Sequence, residues 1–185
     1  AGLDLTALAV IADAVSTPYQ ASVRAGVEPG DLAVWVGAGG VGGFGVQLTA
    51  AMGAHVVAID VSDARLAAMA KHGAALTLNS ATQDVKVIRK AVRACADAHG
   101  IPPWRVRIFE ASGHTAGQAL AYQLLTHGAV LSVVGYTAQS VELRLSNLMA
   151  FDAVAMGNWG CLPEHYPAVV DLALQGRIAI EPFIT

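Results

Sequence analysis

The stretch VWVGAGGVGGFG at 34–45 limits what this chain can fold into more than any other. Six glycines stand between 37 and 45, directly after the apolar run LAVWV, with none of the Ser, Pro or charge typical of a linker. Gly37, Gly39 and Gly42 fit the spacing G-x-G-x-x-G between an expected strand and an expected helix. Each glycine has its own task. The first permits a tight turn, the second lets backbone approach a pyrophosphate, and the third lets the helix pack against the strand. Gly40 and Val41 sit where the first amides of that helix would face a phosphate. A kinase-type phosphate loop is excluded, because Gly43 and Phe44 occupy its Lys and Ser/Thr positions.

From Leu32 onward, short β-branched runs alternate with Ala-rich stretches. Strands are expected at 32–36, 55–59, 76–78, 106–110, 129–134 and 153–157. Helices are expected at 41–52, 63–72, 84–98 and 116–125, closed by Gly53, Gly73, Gly100 and Gly128. Upstream, Ser16 or Thr17 is expected to cap a helix that ends at Gly26. Regular β-α-β alternation implies right-handed crossovers and a parallel sheet. Six strands with a glycine loop after the first point to the doubly wound Rossmann fold, an α/β sheet with helices on both faces. The composition agrees: 55% hydrophobic and 14% charged residues suit strands covered on both sides.

Asp60 follows Gly42 by eighteen residues at the end of the run HVVAI, close to the spacing of the carboxylate that binds an adenosine ribose. A carboxylate there accepts from two hydroxyls and repels a 2′-phosphate, so NAD is expected over NADP. The competing reading of Asp60 is a helix cap, a task that Ser62 and Asp63 can also fill. In the helix at 84–98, Val85, Ile88, Val92 and Cys95 share one face, with Lys86, Arg89, Lys90 and Arg93 roughly opposite. That pattern reads as a solvated face, or as a patch for a phosphorylated ligand.

A net charge of −3 gives no reason to expect nucleic acid. No apolar run is long enough to span a membrane. The run LTALAVIADAV is bracketed by Asp4 and Asp13 with no Lys or Arg before Arg24, unlike a secretory signal. Two cysteines, Cys95 and Cys161, make no disulfide scaffold and fit a reducing cytoplasm. The chain has no initiator Met and is expected to be a piece of a longer protein. His114 and His127 are expected at the surface or as caps.

The segment DAVSTPYQA at 13–21, together with the glycine loop and Asp60, resembles the cofactor domain of the medium-chain zinc-dependent alcohol dehydrogenase family. The resemblance covers nearly the whole chain. It implies NAD and zinc as cofactors, with Asp13 at the third zinc-ligand position, where many members carry Cys and some Asp or Glu. The other two ligands, usually Cys and His, would belong to an N-terminal catalytic domain. It further implies that Thr17 and Val41 press on the back of the nicotinamide ring and that Arg65 reaches the adenosine ribose. Ser112 with Gly113, and Val134 with Gly135, would flank the nicotinamide half.

In domain terms, 1–15 is expected as a residual hinge, 16–160 as the NAD-binding domain, and 161–185 as a C-terminal helix and return segment. Pairing through the outer strand DAVAMGN would give a homodimer or a tetramer. The strings LLTHGA, RLSNLMAF and GNWGCLPEHYP are similar to a member that acts on a CoA thioester in anaerobic aromatic degradation. The implied reaction is oxidation of a secondary alcohol by hydride transfer, with this piece inactive alone. A zinc-free quinone or enoyl reductase, an S-adenosylmethionine methyltransferase and a non-catalytic NAD-binding module remain open alternatives.

Overall fold

Every residue of the run LAVWV is buried, so the first strand, β1 (Leu32–Val36), has no solvent face. It forms the middle of a six-stranded sheet in the computed structural model, which describes residues 8–183. The other strands are β2 (His55–Asp60), β3 (Leu76–Asn79), β4 (Val106–Glu110), β5 (Val130–Val133) and β6 (Val154–Gly157). Their order is β3-β2-β1-β4-β5-β6, and all five pairings are parallel. The expected doubly wound fold is what the chain adopts.

Period-two alternation sorts each central strand between two cores. Leu32, Val34 and Val36 face the same side as Val57, Ile59 and Ile108, where Ile88 and Val92 of α4 (Val85–Ala98) and Leu120 of α5 (Thr115–Gln123) cover them. Ala33 and Trp35 face the other side with Val56, Ala58 and Phe109. There Val46 of α2 (Gly40–Ala51), Leu66 and Met69 of α3 (Asp63–Lys71), and Ala21 of α1 (Ser16–Arg24) complete the layer. Trp35 anchors this side. Its ring stacks on Phe109 with centroids 4.2 Å apart, and its Nε1 donates to Thr49 Oγ1 at 3.1 Å. Gly45 makes the approach possible, since a Cβ there would lie 2.3 Å from the indole.

A third apolar cluster joins the two ends of the described chain on the outside of α2. Ile11 and Val15 meet Phe44, Leu48 and Val169 there. Val169 belongs to α7 (Tyr166–Leu174), and Tyr166 Oη donates to Ala12 O at 2.8 Å. The first seven residues of the expected hinge lie outside the described residues.

Several boundaries differ from expectation. The helix α1 begins at Ser16 with Val15 as N-cap and no side-chain cap, so neither Ser16 nor Thr17 caps it. The Thr17 hydroxyl is instead committed to Asp13. The strand β5 stops at Val133, and α5 stops at Gln123. A short helix, α6 (Ser146–Ala150), lies before β6 where none was expected. On α4, Ile88, Val92 and Ala96 are buried while Lys86, Lys90 and Arg93 are exposed, as the amphipathic pattern requires.

Candidate functional site

Strand order reverses at β1, whose neighbours β2 and β4 leave it in opposite directions, and such a switch point opens a crevice beyond the carboxyl ends of the strands. The glycine loop crosses that crevice. Gly37 has φ +95°, and a Cβ on it would lie 2.5 Å from Ser112 N, so sterics demand glycine. A Cβ on Gly42 would lie 1.8 Å from Gly37 O, which fixes how closely α2 packs on the turn. Gly39 and Gly40 are different: a Cβ on either would meet nothing within 4 Å. Gly39 is also the N-cap of α2 and offers no side-chain oxygen to its first amides. The loop is therefore braced by protein at its first and third glycines and bare over the second, beside the free N–H groups of a helix start. An open cradle of this kind fits a diphosphate.

Asp60 ends β2 beneath this loop. Its Oδ2 accepts from Ala38 N at 2.7 Å and its Oδ1 from Ser62 N at 2.9 Å, with the side chain only 4% exposed. Arg65 Nη1 stands 3.8 Å from Oδ1. The carboxylate thus pins the glycine loop to the start of α3. Capping α3 falls to Ser62, whose Oγ accepts from Arg65 N. Two lone-pair positions of Asp60 are used by backbone, and a carboxylate has about four.

Next to the loop lies a cleft of about 450 Å³. It gathers Asp13, Thr17, Val41, Ser112, Val134 and Gly135, six residues from four separate parts of the sequence. Thr17 Oγ1 donates to Asp13 Oδ1 at 2.6 Å, holding an exposed carboxylate at the rim. Ser112 and Val134 lie just past the ends of β4 and β5. His114 and His127 are both exposed, and His127 faces Asp152 at 3.9 Å.

Two polar residues that organise the cleft were not foreseen. Asn158 is buried just beyond β6. Its Oδ1 accepts from Gln20 Nε2 and Arg24 Nη1, and its Nδ2 donates to Thr17 O, tying the β6 loop to α1. Glu110, the last residue of β4, is fully buried below Ser112. Its Oε1 accepts from Ser112 N at 2.8 Å and from the Ser112 hydroxyl. Burial pushes the Glu110 carboxyl above its ordinary value, against the opposing pull of those hydrogen bonds. The signal in the sequence was an acid closing an otherwise apolar run, VRIFE, and a lone Asn in GNWG.

Among the described residues no three His, Cys, Asp or Glu side chains converge as a metal site. Among the described residues that line the cleft, Asp13 alone carries a carboxylate. One oxygen donor suits zinc as a single ligand, and a catalytic zinc site takes three from protein.

The family model for the zinc-binding dehydrogenases matches residues 40–175. The chain belongs to this family. It is 27% identical over 177 residues to an alcohol dehydrogenase of Geobacillus stearothermophilus, covering 95% of this chain and 49% of that protein. It is 27% identical over 165 residues to a sorbitol dehydrogenase of Bombyx mori, covering 88% of this chain and 45% of that protein. Among solved structures, an alcohol dehydrogenase of Thermotoga maritima superposes with a TM-score of 0.84 at 29% identity, over 94% of this chain and 48% of that one. The chain thus spans about half the length of the curated relatives it matches. No described helix is long and apolar enough to cross a membrane.

Proposed function

We propose that this chain is the nucleotide-binding half of an NAD-dependent dehydrogenase that oxidises a secondary alcohol by hydride transfer, with Asp13 as one zinc ligand. One observation carries the reading: Gly37 and Gly42 are locked by contacts with Ser112 and with each other, whereas the space over Gly39 and Gly40 is empty. When bound, NAD supplies the hydride acceptor and zinc a Lewis acid.

The chain's own residues bind and orient. Amides at Gly39, Gly40, Val41 and Gly42 receive the diphosphate, and Asp60 with Arg65 reads the adenosine ribose. Asp60 brings negative charge where NADP would bring a phosphate, which favours NAD. Thr17 and Val41 form the wall behind the nicotinamide, and Ser112, Val134 and Gly135 the edge beside it. Thr17 holds Asp13 Oδ1, so Oδ2 is the oxygen offered to a cation. Alignment of this kind contributes several kcal/mol to a hydride transfer, on the order of the effects known for oriented reactants.

The narrowest substrate consistent with this reading is 6-hydroxycyclohex-1-ene-1-carbonyl-CoA, supported by the strings at 124–129, 144–151 and 157–167 alone. The domain boundaries at 15 and 160 belong to the same proposal, as does a cytoplasmic setting in which Cys95 and Cys161 stay free thiols. The open edge of β6, where Val154 and Ala155 are exposed, favours a homodimer or tetramer that continues the sheet. Calorimetry of the full-length protein tests the cofactor assignment. NAD should bind at least about tenfold more tightly than NADP, a difference of about 1.4 kcal/mol. Equal affinities would remove Asp60 from the ribose.

A further inference from the structure

Five of the residues that line the cleft, Ser112, Gly113, Val134, Gly135 and Tyr136, sit on two loops that meet at one buried residue. That residue is Glu110, which has no exposed surface. Its backbone carbonyl accepts from both Val134 N at 2.8 Å and Gly135 N at 2.9 Å. Its Oε1 accepts from Ser112 N and Ser112 Oγ. Its Oε2 accepts no hydrogen bond of good geometry, and the Gly113 backbone N–H acts on the carboxyl only as a weaker donor.

The surroundings are built from glycines that leave room for the carboxyl. A Cβ on Gly135 would lie 2.7 Å from Oε2 and 2.4 Å from Gly113 N, so the two loops touch across this point. A Cβ on Gly117 would lie 2.0 Å from Ser112 Oγ and 3.1 Å from Oε1. Gly113 has φ +65°, and a Cβ there would press on Tyr136 O at 2.8 Å. Two glycines on two segments, Gly135 and Gly117, thus leave room for one carboxyl group, and a buried carboxyl with an unsatisfied oxygen is costly to keep for packing alone. Hydrocarbon of the same shape would serve packing better.

We propose that Glu110 is a positioning residue for the nicotinamide half of the dinucleotide: its side chain holds the Ser112–Gly113 loop, while its main-chain carbonyl holds the Val134–Gly135 loop beside it, and the carboxyl so sets the height of the cleft floor at Ser112. The inference rests on the dinucleotide reading above. Val36 of β1, Val133 of β5 and Gly117 of α5 flank the carboxyl and carry no charge. Among the described residues, His114 is the titratable group whose charge reaches it. The carboxyl therefore stays protonated to higher pH than an exposed one, and a Gln can reproduce its hydrogen bonds to Ser112.

The larger effect belongs to the nicotinamide end, because the carboxyl bonds Ser112 there and bonds none of Gly39 to Gly42, although Ser112 also abuts Gly37 at the start of the glycine loop. The test compares NAD with ADP, which lacks the nicotinamide riboside, by calorimetry on the full-length protein. Glu110→Asp, shorter by one methylene, should weaken NAD at least about tenfold while leaving ADP within about threefold of the parent, differences resolved by the affinity scale. Glu110→Gln should keep both affinities within about threefold, and it carries the rescue arm. NAD binding by Glu110→Asp equal to the parent, or equal losses of NAD and ADP in either variant, would overturn the proposal. A parent that binds neither ligand would instead overturn the dinucleotide reading itself.

Discussion

Gly39→Ala and Gly42→Ala are chemically the same change three residues apart, and the structure predicts opposite consequences. At Gly39 the backbone has φ −73° and ψ −157°, which alanine adopts without strain, and the new Cβ would meet nothing within 4 Å. Loss of chain entropy in the unfolded state contributes about 0.4–1 kcal/mol of stability, and the poorer N-cap offsets a few tenths or more of it. The free protein should therefore melt within about 3 °C of the parent, since about 1 kcal/mol moves the midpoint of a domain of this size by roughly 2–4 °C. Dinucleotide affinity should fall at least about tenfold, or about 1.4 kcal/mol, because the methyl group takes the space over the helix amides. At Gly42 the Cβ would lie 1.8 Å from Gly37 O and 3.3 Å from Ala111 Cβ, so backbone must move. Such overpacking costs about 1–3 kcal/mol, and the melting temperature should drop by roughly 2–12 °C. Calorimetric melts of both variants with and without NAD separate the two effects. A Gly39→Ala protein that binds NAD like the parent would refute the reasoning, as would a Gly42→Ala protein that melts unchanged.

Other residues give independent tests. Asp60→Asn removes a charge and weakens the bonds to Ala38 N and Ser62 N, which should cost about 2 kcal/mol and raise NADP affinity relative to NAD; an unchanged cofactor ratio would show that Asp60 serves the loop only. Asp13→Ala in the full-length protein should lower the zinc content measured by atomic emission, and undiminished zinc would remove Asp13 from the metal. Glu110 makes stability depend on pH. Its folded-state value lies above the ordinary 4.5, so the folded chain holds a proton that the unfolded chain releases. Stability from this group is complete below about 4.5 and declines as pH rises through the folded value. Urea midpoints of Glu110→Gln should lack that decline, and identical slopes in parent and variant would contradict the assignment.

The strands and the glycine loop were legible because their physics is local. Apolar runs of four to six residues, separated by helical stretches that close on glycine, specify a covered parallel sheet without reference to distant partners. The cleft was legible only through family resemblance, since Asp13, Thr17, Val41, Ser112 and Gly135 carry no common spacing. The sheet's order alone brings them together. Glu110 and Asn158 stayed hidden for a related reason. Asn158 acts through a bond to Thr17, far away in sequence, and the Glu110 carboxyl sits between loops that only the sheet brings together, and such placement leaves no periodic trace. The capping of α1 was misread because Thr17 could serve either the helix or Asp13, and only the geometry of residues 13–17 decides between them.

The central claim, that the amides from Gly39 to Gly42 receive a dinucleotide's diphosphate, is open to one direct measurement: backbone amide chemical shifts of the protein during titration with NAD. The largest changes should fall on Gly39, Gly40, Val41 and Gly42, and ADP should reproduce them. Shifts centred elsewhere, for example on Lys86, Lys90 and Arg93 of α4 with the glycine loop unmoved, would contradict it.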